Sequence, residues 1–229
     1  MPVISLHFDA ILFDMDGTLI DSTAGVAGAW EVFAKTYPEI NVQEILKTTH
    51  GVRTVETLER FCRITDPEKL EREVARFEEE IITTSKENGL PGILLLPGVR
   101  NIIDNGSDRW TICTSATRAY GSAALESVDI APPETIVFAE DVDHGKPMPD
   151  PYLLGAYRCG VNPKRCLVVE DAPAGVQSGK AAGCTTLAVV TSHSREQMVT
   201  SKADYLVDNL ASVTMEPDEK GVVVTITTP

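Results

Sequence analysis

The apolar positions of this chain gather into short, unbroken runs that each close on polar or acidic residues: Ala10 to Asp14, Trp110 to Thr114, Ile136 to Ala139, Cys166 to Asp171 and Thr185 to Val190. Runs of this length without alternation suit strands buried on both faces, as in a parallel sheet covered by helices. Helical patterns lie between them, at Ala119 to Val128, Pro151 to Cys159 and Ala174 to Ala182. The alternation predicts a doubly wound, Rossmann-like α/β domain, with ligands bound beyond the carboxyl ends of the strands.

Residues 21–90 break that rhythm. They carry helical stripes and no strand: Val26, Trp30 and Phe33 form one stripe, and Leu70, Val74, Phe77 and Ile81 another. Both stripes read as packing surfaces. Gly89, Pro91, Gly92, Pro97 and Gly98 mark the return of the chain. The expected organisation is a core built from residues 1–20 and 91–229, with 21–90 as a helical cap inserted after the first core strand. A last strand at Asp204 to Val207 precedes a C-terminal hairpin, which turns through Glu216 to Gly221 into Val222 to Thr227.

Composition narrows the field. The chain has 229 residues, is 43% apolar and carries a formal charge of −14. It can bury a core, and its long-range field repels nucleic acid and anionic lipid. No apolar run approaches the roughly 18 residues of a membrane span; Ile93 to Leu96 stops at Pro97. The first Lys or Arg is Lys35, so no cationic leader is apparent, and a cytoplasmic, monomeric protein is expected. Cys62, Cys113, Cys159, Cys166 and Cys184 show no CxxC spacing and read as reduced, buried thiols. His7, His144 and His193 are assigned no role.

The chemistry concentrates at strand ends. Asp14 and Asp16, in Phe13-Asp14-Met15-Asp16-Gly17-Thr18, leave the first core strand two residues apart. One carboxylate in such a pair can act as a nucleophile, while the other moves protons. Gly17 permits the sharp turn. Thr114, followed by Ser115 and Ala116, offers a hydroxyl and free backbone N–H groups to phosphate oxygens. Lys146 can neutralise a transferring group, and Glu170 with Asp171 adds hard oxygen ligands suited to Mg²⁺. An acidic protein of this kind can bind a small phosphate ester through a cation and a few placed charges.

These elements, in this order, resemble the four motifs of the haloacid dehalogenase superfamily in its phosphatase form, and the match spans nearly the whole chain. The chain is similar in detail to the fungal 2-deoxyglucose-6-phosphate phosphatase and glycerol-3-phosphatase branch. That likeness runs through His50-Gly51-Val52-Arg53-Thr54, Gly145-Lys146-Pro147-Met148-Pro149-Asp150 and Glu170-Asp171-Ala172-Pro173-Ala174-Gly175. The resemblance implies a Mg²⁺-dependent hydrolase of sugar or polyol phosphates, with Asp14 as nucleophile and Asp16 as general acid and base. It implies metal ligation by Asp14, the Asp16 carbonyl and Asp171, with Glu170 nearby or ligating. His50 and Arg53 are the expected cap contacts to substrate, beside Ser115 and Ala116 in the core.

The alternative is a phosphosugar mutase, but the similar β-phosphoglucomutases carry a cap histidine where this chain has Val26. No cap lysine sits in a recognisable phosphonatase motif, and true dehalogenases lack a counterpart of Asp16. A receiver domain would not carry the large helical insertion. A catalytically silent binding module is the remaining reading from another class.

Overall fold

The computed structural model describes residues 3–105 and 109–227. Its elements run β1 (Val3–Phe8), β2 (Ala10–Phe13), β3 (Ile20–Asp21), α1 (Thr23–Thr36), α2 (Val42–Thr48), α3 (Thr54–Cys62), α4 (Pro67–Thr84), β4 (Leu94–Leu95), α5 (Val99–Asn105), β5 (Trp110–Cys113) and α6 (Arg118–Ser127). They continue through β6 (Ile136–Val137), α7 (Asp150–Arg158), β7 (Cys166–Glu170), α8 (Pro173–Ala181), β8 (Thr185–Val189), α9 (Arg195–Thr200), β9 (Tyr205–Val207), β10 (Val213–Pro217) and β11 (Val222–Thr227).

The predicted α/β core is present as a six-stranded parallel sheet in the order β6-β5-β2-β7-β8-β9. Its central strands are apolar without alternation because both faces are covered. Ile11, Phe13, Leu167 and Val169 enter the cluster that includes Leu125 of α6. The intervening Ala10, Leu12, Cys166 and Val168 pack with Tyr152 and Ala156 of α7 on the other face. After β2 the chain builds outward through β5 and β6, then returns to place β7 on the opposite flank of β2. Strand order therefore reverses beside β2, which is where such sheets open a ligand crevice.

The run expected to extend through Ala139 is shorter as a strand. Pairing stops at Val137, because the Ala139 N–H turns back to the Ala116 carbonyl at 2.9 Å and Ala139 to Asp141 form a 3₁₀ turn. The C-terminal hairpin is present, and β1 adds to its outer edge to give the antiparallel order β1-β11-β10. All five cysteines are free; four are buried and Cys159 is half-buried. Among the described residues no helix is long and apolar enough to cross a membrane.

Four α-helices lie between β3 and β4, which pair antiparallel through Ile20 with Leu95 and Asp21 with Leu94. α4 starts sharply because Asp66 caps it, accepting from the Lys69 N–H at 2.7 Å, and Pro67 occupies the first turn. The two predicted stripes meet, with the Trp30 and Phe77 rings 4.4 Å apart and those of Phe33 and Phe77 5.1 Å apart. Packing is only part of their work. Val26, Trp30, Phe77 and Ile81 also wall a cavity over the carboxyl ends of the sheet.

Candidate active site

The loop leaving β2 is tight. The Met15 carbonyl accepts from the N–H groups of Thr18, Leu19 and Ile20, and Gly17 stands at φ +85°. A Cβ at Gly17 would strike the Asp171 carboxylate and the Ser192 hydroxyl, so this turn and this approach both require glycine. Asp14 directly follows β2, and its N–H extends the ladder to the Val169 carbonyl of β7 at 3.0 Å. Thr114 is held likewise at the end of β5, by donation to the Val137 carbonyl at 2.9 Å. Adjacent strand ends thus set Asp14, Thr114, Glu170 and Asp171 around one crevice.

Lys146 is buried at 1% exposure, and its Nζ donates to Asp14 Oδ1 at 2.6 Å and to Glu170 Oε1 at 2.7 Å. It does not line the cavity. Its position beneath the two carboxylates makes it the anchor of Asp14 and their counter-charge. Burial and the carboxylate Glu170 push Asp14 up, against the pull of Lys146, to about 7. The ammonium is raised above its ordinary range by Asp14 and Glu170, which together outweigh its own desolvation.

Asp14, Glu170 and Asp171 offer carboxylate oxygens within 4.8 Å of one another. Asp14 Oδ2 and Asp171 Oδ2 are buried with no hydrogen-bond partner. Buried orphan acceptors are costly, and two on carboxylates that come this close suit a hard divalent cation. Asp171 is driven well above the carboxylate range, by burial first and then by Asp14 and Glu170. Glu170 differs from both. Its Oε1 accepts from Lys146 and from the Tyr152 hydroxyl at 2.8 Å, and its Oε2 accepts from the N–H groups of Asp171 at 3.0 Å and Ala172 at 3.1 Å. All four acceptor directions are filled, so Glu170 fixes the lysine and the β7 turn rather than presenting a vacant ligand atom. A Cβ at Gly175 would overlap its carboxylate, which lets α8 approach this closely only with glycine there.

Asp16 faces the cavity beside Asp14. Its Oδ1 accepts from the Ser22 hydroxyl at 2.6 Å and the Tyr120 hydroxyl at 2.7 Å, leaving Oδ2 to carry a proton. Burial raises its pKa, opposed by those two donors. Thr114, Ser115 and Ala116 line the cavity, but the expected free N–H groups are not all free. The Ala116 N–H is spent on Thr114 Oγ1 at 3.0 Å, and Ser115 Oγ donates to the Gly51 carbonyl at 2.8 Å, joining the core to the loop before α3.

His50 lines the cavity, its ring edge-to-face with that of His193 at 5.2 Å. Burial lowers its pKa first, with His193 adding to the effect. His193, to which the sequence assigns nothing, also lies 3.1 Å from the Asp171 carbonyl. Arg53 is not a lining residue. Its guanidinium donates to the carbonyls of Val142 and Asp143, both at 3.1 Å, and of Ala139 at 3.5 Å, and its Nε donates to Glu56 at 2.7 Å.

The sequence reading missed Ser22, Tyr120, Tyr152 and Glu78. Glu78 is 3% exposed, lines the cavity from α4, and accepts at Oε1 from the Thr54 hydroxyl at 3.1 Å and the Thr117 N–H at 3.3 Å. Its Oε2 accepts from the Thr117 hydroxyl. Burial raises it to about 7 despite these donors. The signal was its place within the apolar stripe, four residues after Val74 and three before Ile81.

The arrangement has relatives. The model of the haloacid dehalogenase-like hydrolase family matches residues 8–183. Hexitol phosphatase A of Escherichia coli is 35% identical over 93% of this chain and 96% of its own length. Glycerol-1-phosphate phosphohydrolase 2 of Saccharomyces cerevisiae is 32% identical over 92% of this chain and 86% of its own. Among solved structures, a β-phosphoglucomutase from Clostridium difficile superposes with a TM-score of 0.73 at 23% identity, over 89% of this chain and 92% of that one.

Proposed function

This chain belongs to the haloacid dehalogenase-like hydrolases and is a phosphoric monoester hydrolase; from that premise we propose that it removes phosphate from sugar or polyol monophosphates through an aspartyl phosphate on Asp14. The observation that carries the reading is the pair of carboxylates opening on one cavity in different states: Asp14 anchored by Lys146, and Asp16 with Oδ1 tied by Ser22 and Tyr120.

The Asp14 carboxylate attacks phosphorus in line, and the bond to the alcohol oxygen breaks as Asp16 delivers its proton to that oxygen. Asp16 then takes a proton from water, which attacks the aspartyl phosphate, releases inorganic phosphate and restores Asp14. Lys146 keeps Asp14 aimed and offsets the charge gathered around the transferring group. The orphan oxygens of Asp14 and Asp171 would hold Mg²⁺, which when bound supplies charge stabilisation to the phosphoryl oxygens. Thr114 and Ser115 border the space for those oxygens. We assign residues 21–90 the role of a cap, closing over the core through Ser115 to Gly51 and Arg53 to the 139–143 loop.

Val26 gives the cavity an apolar wall where a mutase of this type would carry its histidine, which favours transfer to water. The test is phosphate release from a panel of sugar, polyol and aryl phosphates, with and without Mg²⁺, using Asp14→Asn as the blank. Mg²⁺-dependent release that disappears in the variant is expected. Isomerised sugar phosphate without free phosphate would point to a mutase, and no turnover of any ester would leave only ligand binding.

A further inference from the structure

The cavity that receives the substrate has an unusual charge balance for a phosphate site. Asp14, Asp16 and Glu78 all line it, while among the described residues no lysine or arginine does. Lys146 lies beneath Asp14. Arg53, the nearest candidate in sequence, is committed to three backbone carbonyls and Glu56. His50 is held toward its neutral form by burial and by His193. Lys146 beneath Asp14, and the cation that Asp14 and Asp171 would hold, both belong to the reacting phosphate, and no lining side chain among the described residues offers countercharge for a second anion.

Glu78 sets the character of the far wall. It reaches the cavity from α4, whereas Asp14 and Asp16 come from the β2 end. Thr54 and Thr117 supply three donors to its carboxylate, two at Oε1 and one at Oε2. A carboxylate accepts about four hydrogen bonds, so one direction remains at Oε2. An ionised carboxylate accepts and never donates, so that direction takes a donor, and on an uncharged sugar or polyol the donor is a hydroxyl. The apolar surfaces of Val26, Trp30, Phe77 and Ile81 beside it suit the carbon side of an uncharged chain or ring.

We propose that Glu78 is the specificity-determining residue of this cavity, accepting a hydroxyl of the substrate alcohol and rejecting any phosphate ester that bears a second anionic group. This inference rests on the phosphatase reading above and goes beyond it by fixing the charge class of the leaving alcohol. The carboxylate discriminates by repulsion and desolvation rather than by a better fit to the favoured substrate.

The experiment compares kcat/KM at about pH 8, where Glu78 is ionised, for glucitol 6-phosphate and 6-phosphogluconate, which differ by a carboxylate in place of a hydroxymethyl group. 4-Nitrophenyl phosphate monitors the chemistry itself. The wild-type protein is expected to favour glucitol 6-phosphate by about 30-fold or more. Glu78→Gln, which keeps the shape and removes the charge, should shrink that ratio by about tenfold, and Glu78→Lys should shrink it further.

A residue serving only to brace Thr54 and Thr117 would change both rates by one factor, so an unchanged ratio in Glu78→Gln overturns the assignment. Equal turnover of the two esters by the wild-type protein overturns the inference and leaves the phosphatase intact. Failure on all three compounds overturns the phosphatase reading on which it rests.

Discussion

Glu78→Gln also has a consequence for stability, worked from the burial of the carboxyl. Glu78 ionises near pH 7 in the folded chain against an ordinary value of 4.5, because burial disfavours its charged form and no basic side chain among the described residues pairs with it. Below pH 4.5 the group is protonated in both folded and unfolded chains and contributes no pH dependence. Between pH 4.5 and 7 the unfolded chain ionises first, so it binds fewer protons than the folded chain and stability falls as pH rises. Each pH unit corresponds to about 1.4 kcal/mol, so above pH 7 the ionised carboxylate costs the fold about 3 kcal/mol. Glutamine carries no such penalty and can retain the contacts to Thr54 and Thr117.

Urea unfolding of both proteins from about pH 4.5 to about 8 should therefore show the advantage of Glu78→Gln growing with pH, then levelling off. Asp14 and Asp171 are common to both proteins and cancel in the comparison, whereas Asp16, whose charge helps to raise Glu78, is relieved of that repulsion in the variant and adds to the same trend. An advantage that does not change with pH, or a variant that loses ground as pH rises, would refute the electrostatic account of this residue.

The other expectations concern the reaction and its supports. Asp16→Asn should lower kcat/KM by about a thousandfold on alkyl phosphates and far less on 4-nitrophenyl phosphate, whose leaving group needs no proton; equal losses would remove Asp16 from the acid role. Lys146→Met should strip two buried carboxylates of their cation and destabilise the fold by about 4 kcal/mol in urea unfolding, and a neutral result would contradict the buried pairing. Arg53→Ala should speed amide exchange across residues 139–145 by about tenfold while leaving KM within about twofold, since the guanidinium holds carbonyls and does not line the cavity. A large rise in KM would restore Arg53 as a direct substrate contact.

The fold was readable where burial on two faces leaves an unbroken apolar run, as in β2, β7 and β8. It was less readable where pairing joins distant segments. The alternation of Ile4, Leu6 and Phe8 in β1 acquires meaning only beside β11, at the other end of the chain. Asp14, Asp16, Thr114 and Asp171 could be grouped because adjacent parallel strands deliver them to one edge. The orientation of Lys146 could not be read, since being buried under Asp14 depends on how the loop before α7 folds inward. Glu78 was passed over because an acidic residue inside an apolar stripe is informative only once the stripe is known to wall a cavity rather than to pack alone.

The antiparallel β1-β11-β10 sheet brings Val3 opposite Thr227, so the described chain ends lie side by side across one ladder. The crevice, by contrast, is defined by the succession β5, β2, β7. A permuted version of the described segment, with residues 3 and 227 bridged by a short linker and new ends opened at the exposed Asn88 to Pro91 connection, would preserve every strand neighbour of Asp14. Catalytic order here belongs to the sheet as an assembled object, and the point at which synthesis starts is independent of it.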